Sequence, residues 1–182
     1  MKTKIIIGTS IILIAFLLIL LLVVMPYNNL SKLEEYNLLS DEAITAEFKI
    51  KNKTYVLTTY QNSNTSYAYN NLLLKYKDNY YLLERIDKCD MSYLVEDNNI
   101  YIHCIGKKGD ILKYTINGEN VKNEVLEFNY KNTPNISQIH IVIDKVDNEY
   151  LYLKSAVKKD DSIKEGEHIK CSLSNKICKY EN

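Results

Sequence analysis

From Ile5 to Met25 the chain passes through 21 positions without a charge, nearly all of them Ile, Leu, Val or Phe, interrupted only by Gly8, Thr9, Ser10 and Ala15. Wound as an α-helix, such a run is about 30 Å long, which matches the hydrocarbon core of a bilayer. It predicts a transmembrane helix whose partner is the lipid bilayer. Each large apolar side chain contributes roughly −0.3 to −0.6 kcal/mol to insertion and no internal charge opposes them, so insertion is favoured. Lys2 and Lys4 stand directly before the run, whereas Lys32, Glu34, Glu35, Asp41 and Glu42 make the far flank mixed and mainly acidic. The positive-inside rule therefore makes residues 1–4 a cytoplasmic tail and places everything after residue 25 outside the cytoplasmic membrane. A signal peptide would have a shorter apolar core and a small-x-small cleavage site. This run ends Val23-Val24-Met25-Pro26, so it is read as a retained signal-anchor of a single-pass protein.

Beyond the anchor the periodicity changes. Residues 26–42 read as a juxtamembrane linker, and Leu30 to Leu39 predicts a short helix within it, because Ser31 and Glu34 have the spacing of a capping box. From residue 43 to 182, short runs of Ile, Val, Tyr, Thr and Leu alternate with Asn, Asp, Gly and Lys and show little helical period. That texture predicts an all-β domain. The runs also superimpose. Asn precedes a strand residue by three positions at Asn52/Tyr55, Asn98/Tyr101 and Asn148/Leu151, spaced by 46 and 50 residues. An apolar-Lys step follows at Leu74-Lys75-Tyr76, Leu112-Lys113-Tyr114 and Ile169-Lys170-Cys171. Each unit then closes on a turn and a last strand: Asp78-Asn79 then Tyr80 to Ile86, Asn117-Gly118 then Val125 to Tyr130, Ser174-Asn175 then Ile177 to Tyr180. With a leading strand at Ile44 to Ile50, Met91 to Val95 and Ile139 to Ile143, the expectation is three four-stranded antiparallel meanders, about 43–88, 89–130 and 131–182.

Within the second unit Ile100, Ile102 and Cys104 share one strand face while Tyr101, His103 and Ile105 take the other, and both faces are largely apolar. Strands buried on two sides suit meanders stacked face to face. On steps such as Asn98-Asn99-Ile100-Tyr101-Ile102 and Asp110-Ile111-Leu112-Lys113-Tyr114, residues 44 to 182 resemble the repeats of bacterial extracytoplasmic β-propellers. The resemblance implies four-stranded blades packed against one another. Closed propellers typically have 4 to 8 blades, whereas three units are countable here. An open stack, a β-sandwich, and a ring completed by a homodimer all stay open.

Composition adds little. Arg85 is the single arginine among 23 basic side chains, and Asn, Ile, Lys and Tyr abound, as AT-rich codons of a bacterial genome would supply. The formal net charge is zero, so the chain offers no field for nucleic acid. Four cysteines, Cys89, Cys104, Cys171 and Cys178, lie beyond the anchor, where disulfides persist. Cys171 and Cys178 are symmetric about the Ser174-Asn175 turn, and Cys89 and Cys104 about Glu96-Asp97. They are disulfide candidates, with buried free thiols or a metal site as the alternatives. His103, His140 and His168 fall in different predicted strands among apolar neighbours. Carboxylates such as Asp147, Glu149, Asp160 and Asp161 sit in predicted turns, where Asp is selected for local hydrogen bonding. Tyr67, Tyr69, Tyr80 and Tyr81 could form a sugar- or peptide-binding platform, and the polar insertions Gln61 to Tyr69 and Ala156 to Glu165 are expected as exposed loops.

No catalytic, cofactor-binding or metal-binding residue is assigned, and no cofactor is implied. The pattern is that of a membrane-anchored protein displaying an extracytoplasmic β domain for binding or scaffolding, with a protein or glycan ligand on the β domain. Two rival readings remain. One is a cell-envelope hydrolase whose carboxylates come from separate loops, and the other an accessory subunit of a membrane complex, held through Gly8, Thr9 and Ser10.

Overall fold

The computed structural model describes residues 33–40, 42–60, 69–87, 89–105, 110–133, 140–155, 157–159, 162–164 and 166–181. The expected membrane helix at residues 5–25, the Ser31 cap and most of the Gln61 to Tyr69 insertion lie outside them. Among the described residues no helix is long and apolar enough to cross a membrane.

The described chain is all-β, built as three antiparallel sheets that do not close into a barrel. Sheet 1 is a meander of β2 (Glu42–Ile50), β3 (Lys53–Tyr60), β4 (Tyr69–Tyr76) and β5 (Asn79–Asp87), with β1 (Glu35–Tyr36) added at the β5 edge. Sheet 2 runs β6 (Asp90–Glu96), β7 (Asn99–Ile105), β8 (Ile111–Asn117) and β9 (Asn120–Leu126). Sheet 3 runs β10 (Ile141–Val146) and β11 (Tyr150–Ser155), then β14 (His168–Ser172) and β15 (Cys178–Tyr180). A separate hairpin, β12 (Val157–Lys159) with β13 (Ser162–Lys164), leaves the sheet between β11 and β14, where the sequence suggested an exposed loop.

The three Asn-led steps fall at the starts of the second strands, β3, β7 and β11, and Tyr55, Tyr101 and Leu151 are all buried there. The three apolar-Lys steps fall in the third strands, β4, β8 and β14. Alternation then sorts the side chains onto two faces. Ile100 and Ile102 of β7 pack in one cluster with Ile50, Tyr55, Leu57, Leu72 and Leu74 of sheet 1. Tyr101, one position between them, belongs to a second cluster with Ile141, Ile143, Leu151, Leu153 and Ile169 of sheet 3. Sheet 2 is thus the middle layer, covered on both faces.

Polar contacts pin the layers at their edges. The N–H of Ile143 donates to Ser92 Oγ across sheets 2 and 3 (2.8 Å). Tyr55 Oη donates to the Gly118 carbonyl (3.0 Å), and beside it Lys53 Nζ pairs with the Glu119 carboxylate, joining hairpins of sheets 1 and 2. After β9 the chain runs to the β15 edge of sheet 3, where Asn129 forms a parallel bridge with Ile177. The Cys178 N–H donates to the Asn129 carbonyl (3.0 Å) and the Asn129 N–H to Lys176 O (2.7 Å).

Three local expectations change. Residues 33–39 hold no helix: Glu35 and Tyr36 pair with Tyr81 and Tyr80 of β5, and the Leu82 N–H donates to Glu34 O (3.0 Å). A capping box stabilises a helix start by about 1 kcal/mol, too little for an isolated ten-residue helix, whereas the β5 edge supplies partners for the same backbone. Secondly, the β8–β9 loop is Gly118-Glu119 and the β6–β7 loop is Asp97-Asn98, each one residue later than the sequence suggested. Lys51, Lys77, Asp97 and Gly118 each open a two-residue loop with φ between 52° and 67°, the positive φ of primed hairpin turns. Thirdly, the last strand of the second unit is Asn120–Leu126 rather than Val125 to Tyr130. β9 is a solvent-exposed edge strand, so its polar residues hide it from a hydrophobicity reading.

Two outcomes follow from this layering. Ile102→Ala, in the doubly covered strand, is expected to lose about 2–5 kcal/mol in urea unfolding, and Val142→Ala, on the exposed face of β10, less than about 0.5 kcal/mol. Equal losses would refute the middle-layer assignment. Burial, the largest single influence, pushes the Glu119 carboxyl upward, but the hydrogen bond from Lys53, a backbone hydrogen bond and the Lys53 charge together outweigh it and set the carboxyl below the ordinary 4.5. Its contribution is therefore present above about pH 4.5 and is lost as pH falls through the lower folded value. In acid titrations the stability advantage of the wild type over Glu119→Gln should shrink below that pH. Parallel curves would count against the pair.

Candidate functional site

The two ends of the stack differ. On the outer face of sheet 1, Thr58 and Asn71 stand opposite each other in the β3–β4 register, with Val56 and Leu73 fully buried beside them. Here the chain crosses from the β5 edge, where β1 pairs, to the opposite edge, where β2 begins. The crossing is fastened by Glu42. Its Oε2 accepts from Tyr36 Oη (2.8 Å) and the Leu39 N–H (3.2 Å), and its Oε1 accepts from Asn71 Nδ2 (2.9 Å) and the Thr58 hydroxyl. Burial, then the Glu42 carboxylate, push the Tyr36 phenol up to about 12. This end is closed by the chain's own N-terminal segment.

The outer face of sheet 3 is different. Leu151 and Leu153 point into the core, so alternation turns Tyr150, Tyr152 and Lys154 outward, as it does Lys170 and Ser172 of β14. The Lys170 ammonium lies 3.9 Å from the Tyr150 ring centroid and 5.3 Å from that of Tyr152, while Lys145 sits 4.1 Å over Tyr152 from the other side. A cleft of about 290 Å³ opens beside this stack, walled by Tyr150, Lys170 and Ser172 on one side and by Asn175, Ile177, Lys179 and Tyr180 on the other.

Two titrating groups define its charge. Asp147, at the β10–β11 turn, accepts from the N–H groups of Glu149 (2.9 Å) and Tyr150 (2.7 Å) and from Tyr152 Oη (3.0 Å), and these bonds hold its carboxyl below the usual aspartate range. Hydrogen bonding to Tyr152, followed by the charges of the phenols and Asp147, raises Lys170 above the ordinary lysine value. Both groups are thereby fixed in their charged forms near neutral pH, which suits them to holding a ligand and makes neither a proton donor or acceptor. Glu119, the other shifted carboxylate, is also lowered.

The residues singled out from the sequence are distributed otherwise. Tyr67 and the side chain of Tyr69 lie outside the described residues. Tyr80 sits at the β1–β5 pairing and Tyr81 packs against the cluster between sheets 1 and 2, so these two do not form an open platform. His103 is buried in β7 with Nδ1 3.2 Å from the Asp110 carbonyl, whereas His140 and His168 are exposed. Among the described residues no three His, Cys, Asp or Glu side chains are grouped to hold a metal. Cys171 is bonded to Cys178, its direct partner in the β14–β15 register. Cys89 is bonded to Cys104, although the partner of Cys104 in the ladder is Met91, so this bridge reaches past the end of β6. Cys89–Cys104 ties segments that adjoin the core, and Cys171–Cys178 ties β14 to β15 on the buried side of the strands that carry the cleft.

Tyr150, Tyr152, Lys170 and Lys179 were not singled out from the sequence. One signal was available: Lys170 is the third-unit member of the apolar-Lys step, and a lysine stands at the facing strand position.

Replacing Cys171 and Cys178 together by Ala is expected to cost about 2–3 kcal/mol of stability from loop closure, read as a lowered urea midpoint. Peptide maps run with and without reductant check the premise, and free thiols at both positions would end it. Comparisons of the chain with protein-family models, with curated proteins and with solved structures find no match.

Proposed function

We propose that this chain is a binding module held at the outer surface of the cytoplasmic membrane by residues 5–25, and that its ligand site is the Tyr150–Lys170 cleft of sheet 3. The single observation that carries the binding reading is the contrast between the two ends of the stack. One outer face is closed by the chain's own segment up to Glu42, and the other presents aromatic rings and ammonium groups around a cleft. A half-buried aromatic ring such as Tyr150 beside fixed charges suits a recognition surface, since the ring buries further area at small entropic cost and the charges orient the ligand.

The tether is supported by the uninterrupted apolar run and by Lys2 and Lys4 before it. The stack itself supports a propeller-like reading of the β domain, in which consecutive four-stranded meanders pack face to face as neighbouring blades do. Three sheets in one chain support an open stack.

Treating intact cells with a membrane-impermeant amine reagent tests the placement. Lys113, Lys131 and Lys179 should be labelled without lysis, and the labelled chain should sediment with membranes. Labelling that requires lysis, or a labelled chain in the soluble fraction, would overturn the tethered outward reading.

A further inference from the structure

The third-strand lysine occurs in all three sheets, and its surroundings differ among them in one respect. In sheet 1, Lys75 faces Tyr80 across β4–β5 and its Nζ is 2.9 Å from the Glu47 carboxylate. In sheet 2, Lys113 faces Glu124 across β8–β9. In sheet 3 the equivalent Lys170 faces Lys179 across β14–β15. Directly opposed residues of an antiparallel pair have Cβ atoms about 4.5–5.5 Å apart, and like charges there are destabilising. Two repeats thus place a phenol or a carboxylate opposite the lysine, while the third places a second ammonium.

This pair lines the cleft, and among the described residues neither Lys170 nor Lys179 has a carboxylate within 4 Å. Asp147, whose charge acts on Lys170, already accepts three hydrogen bonds. An anion entering the cleft would neutralise the pair. Between the ammonium groups and the turn, the Ser172 hydroxyl faces Ser174 Oγ at 3.1 Å. The Tyr150 ring flanks the opening, and an aromatic ring is a flat apolar wall against which the C–H face of a pyranose packs. A cleft of about 290 Å³ is at the small end of ligand sites, near the size of one or two sugar units.

We propose that the cleft binds an anionic sugar unit, a pyranose carrying a phosphate or carboxylate group, with the anion bridging Lys170 and Lys179 and the ring against Tyr150. This rests on the binding-module reading and specifies its ligand. A single anion between two ammonium groups removes their repulsion and replaces it with two charge-assisted contacts, so recognition is salt-sensitive and selective against neutral sugars.

The test uses the full chain in nanodiscs of neutral lipid at low salt, titrated with glucose 6-phosphate, glucuronate, glucose and inorganic phosphate, and read by calorimetry and by thermal unfolding. At least one anionic sugar should bind at least tenfold more tightly than glucose and more tightly than phosphate alone, and raise the unfolding temperature. Preference for the phosphate or the uronate probe assigns the source of the charge. Lys170→Gln and Lys179→Gln should each weaken binding about tenfold, while Lys51→Gln, at the exposed β2–β3 turn of sheet 1, should not. Without ligand, Lys179→Gln should unfold at a temperature no lower than the wild type, because it removes a like-charge pair. Equal binding of glucose and the anionic sugars, lost in Tyr150→Ala, would overturn the anion assignment and leave the binding module standing. Absence of binding by both anionic sugars, or indifference to both lysine substitutions, would overturn the assignment outright, while the labelling of intact cells reads the tether separately.

Discussion

A sheet with two apolar faces must be covered twice, and in this protein that requirement falls on sheet 2. Ile100 and Ile102 point one way and Tyr101 the other, all of them buried in β7. Neither neighbouring sheet can therefore be removed without wetting a face that water would destabilise. Sheets 1 and 3 need only one cover each from this arrangement, and they receive it from opposite sides of the same strands. The edge contacts then fix the layers: Ser92 to Ile143 on one side, and Lys53 with Tyr55 to the Gly118-Glu119 hairpin on the other.

What the stack leaves over is two outer faces, and they are solved differently. Glu42 gathers four donors and ties the segment from Tyr36 onward across sheet 1, so the polar groups there are satisfied internally. On sheet 3 the outward residues include Tyr, Lys and Ser, with lysines laid over aromatic rings and the Cys171–Cys178 bridge on the opposite, buried side of β14. The scaffold beneath that surface is consequently stiff, and its exposed chemistry can vary without disturbing the core. In a β repeat such freedom is where recognition is placed.

The repeat itself was legible in the chain because it rests on short-range rules. Asn before a strand marks a turn, alternation marks the strand, and the recurrence of Tyr55, Tyr101 and Leu151 marks equivalent buried positions in three second strands. Less legible was anything decided by a neighbour distant in sequence. The Leu30 to Leu39 stretch reads as a helix in isolation, yet Glu35 and Tyr36 meet an open strand edge 45 residues away in sequence and pair with it instead. The polar β9 was displaced for the same reason, since an edge strand is recognised by its partner β8 and not by its own hydrophobicity. Met91 facing Cys104 shows how a one-residue change of loop moves the register by two along the facing strand.

By itself the sequence determined the apolar run at 5–25 as a length and charge pattern, the strand-rich character of the rest, and its division into recurring units. Those properties depend on side-chain period and turn chemistry within a few residues. Only the tertiary structure decided that sheet 2 lies in the middle, that the segment before β2 closes one face, and that Tyr150, Lys170 and Lys179 surround one cleft. Each of these depends on which faces meet across about 10 Å of packed side chains, and no local pattern carries that information.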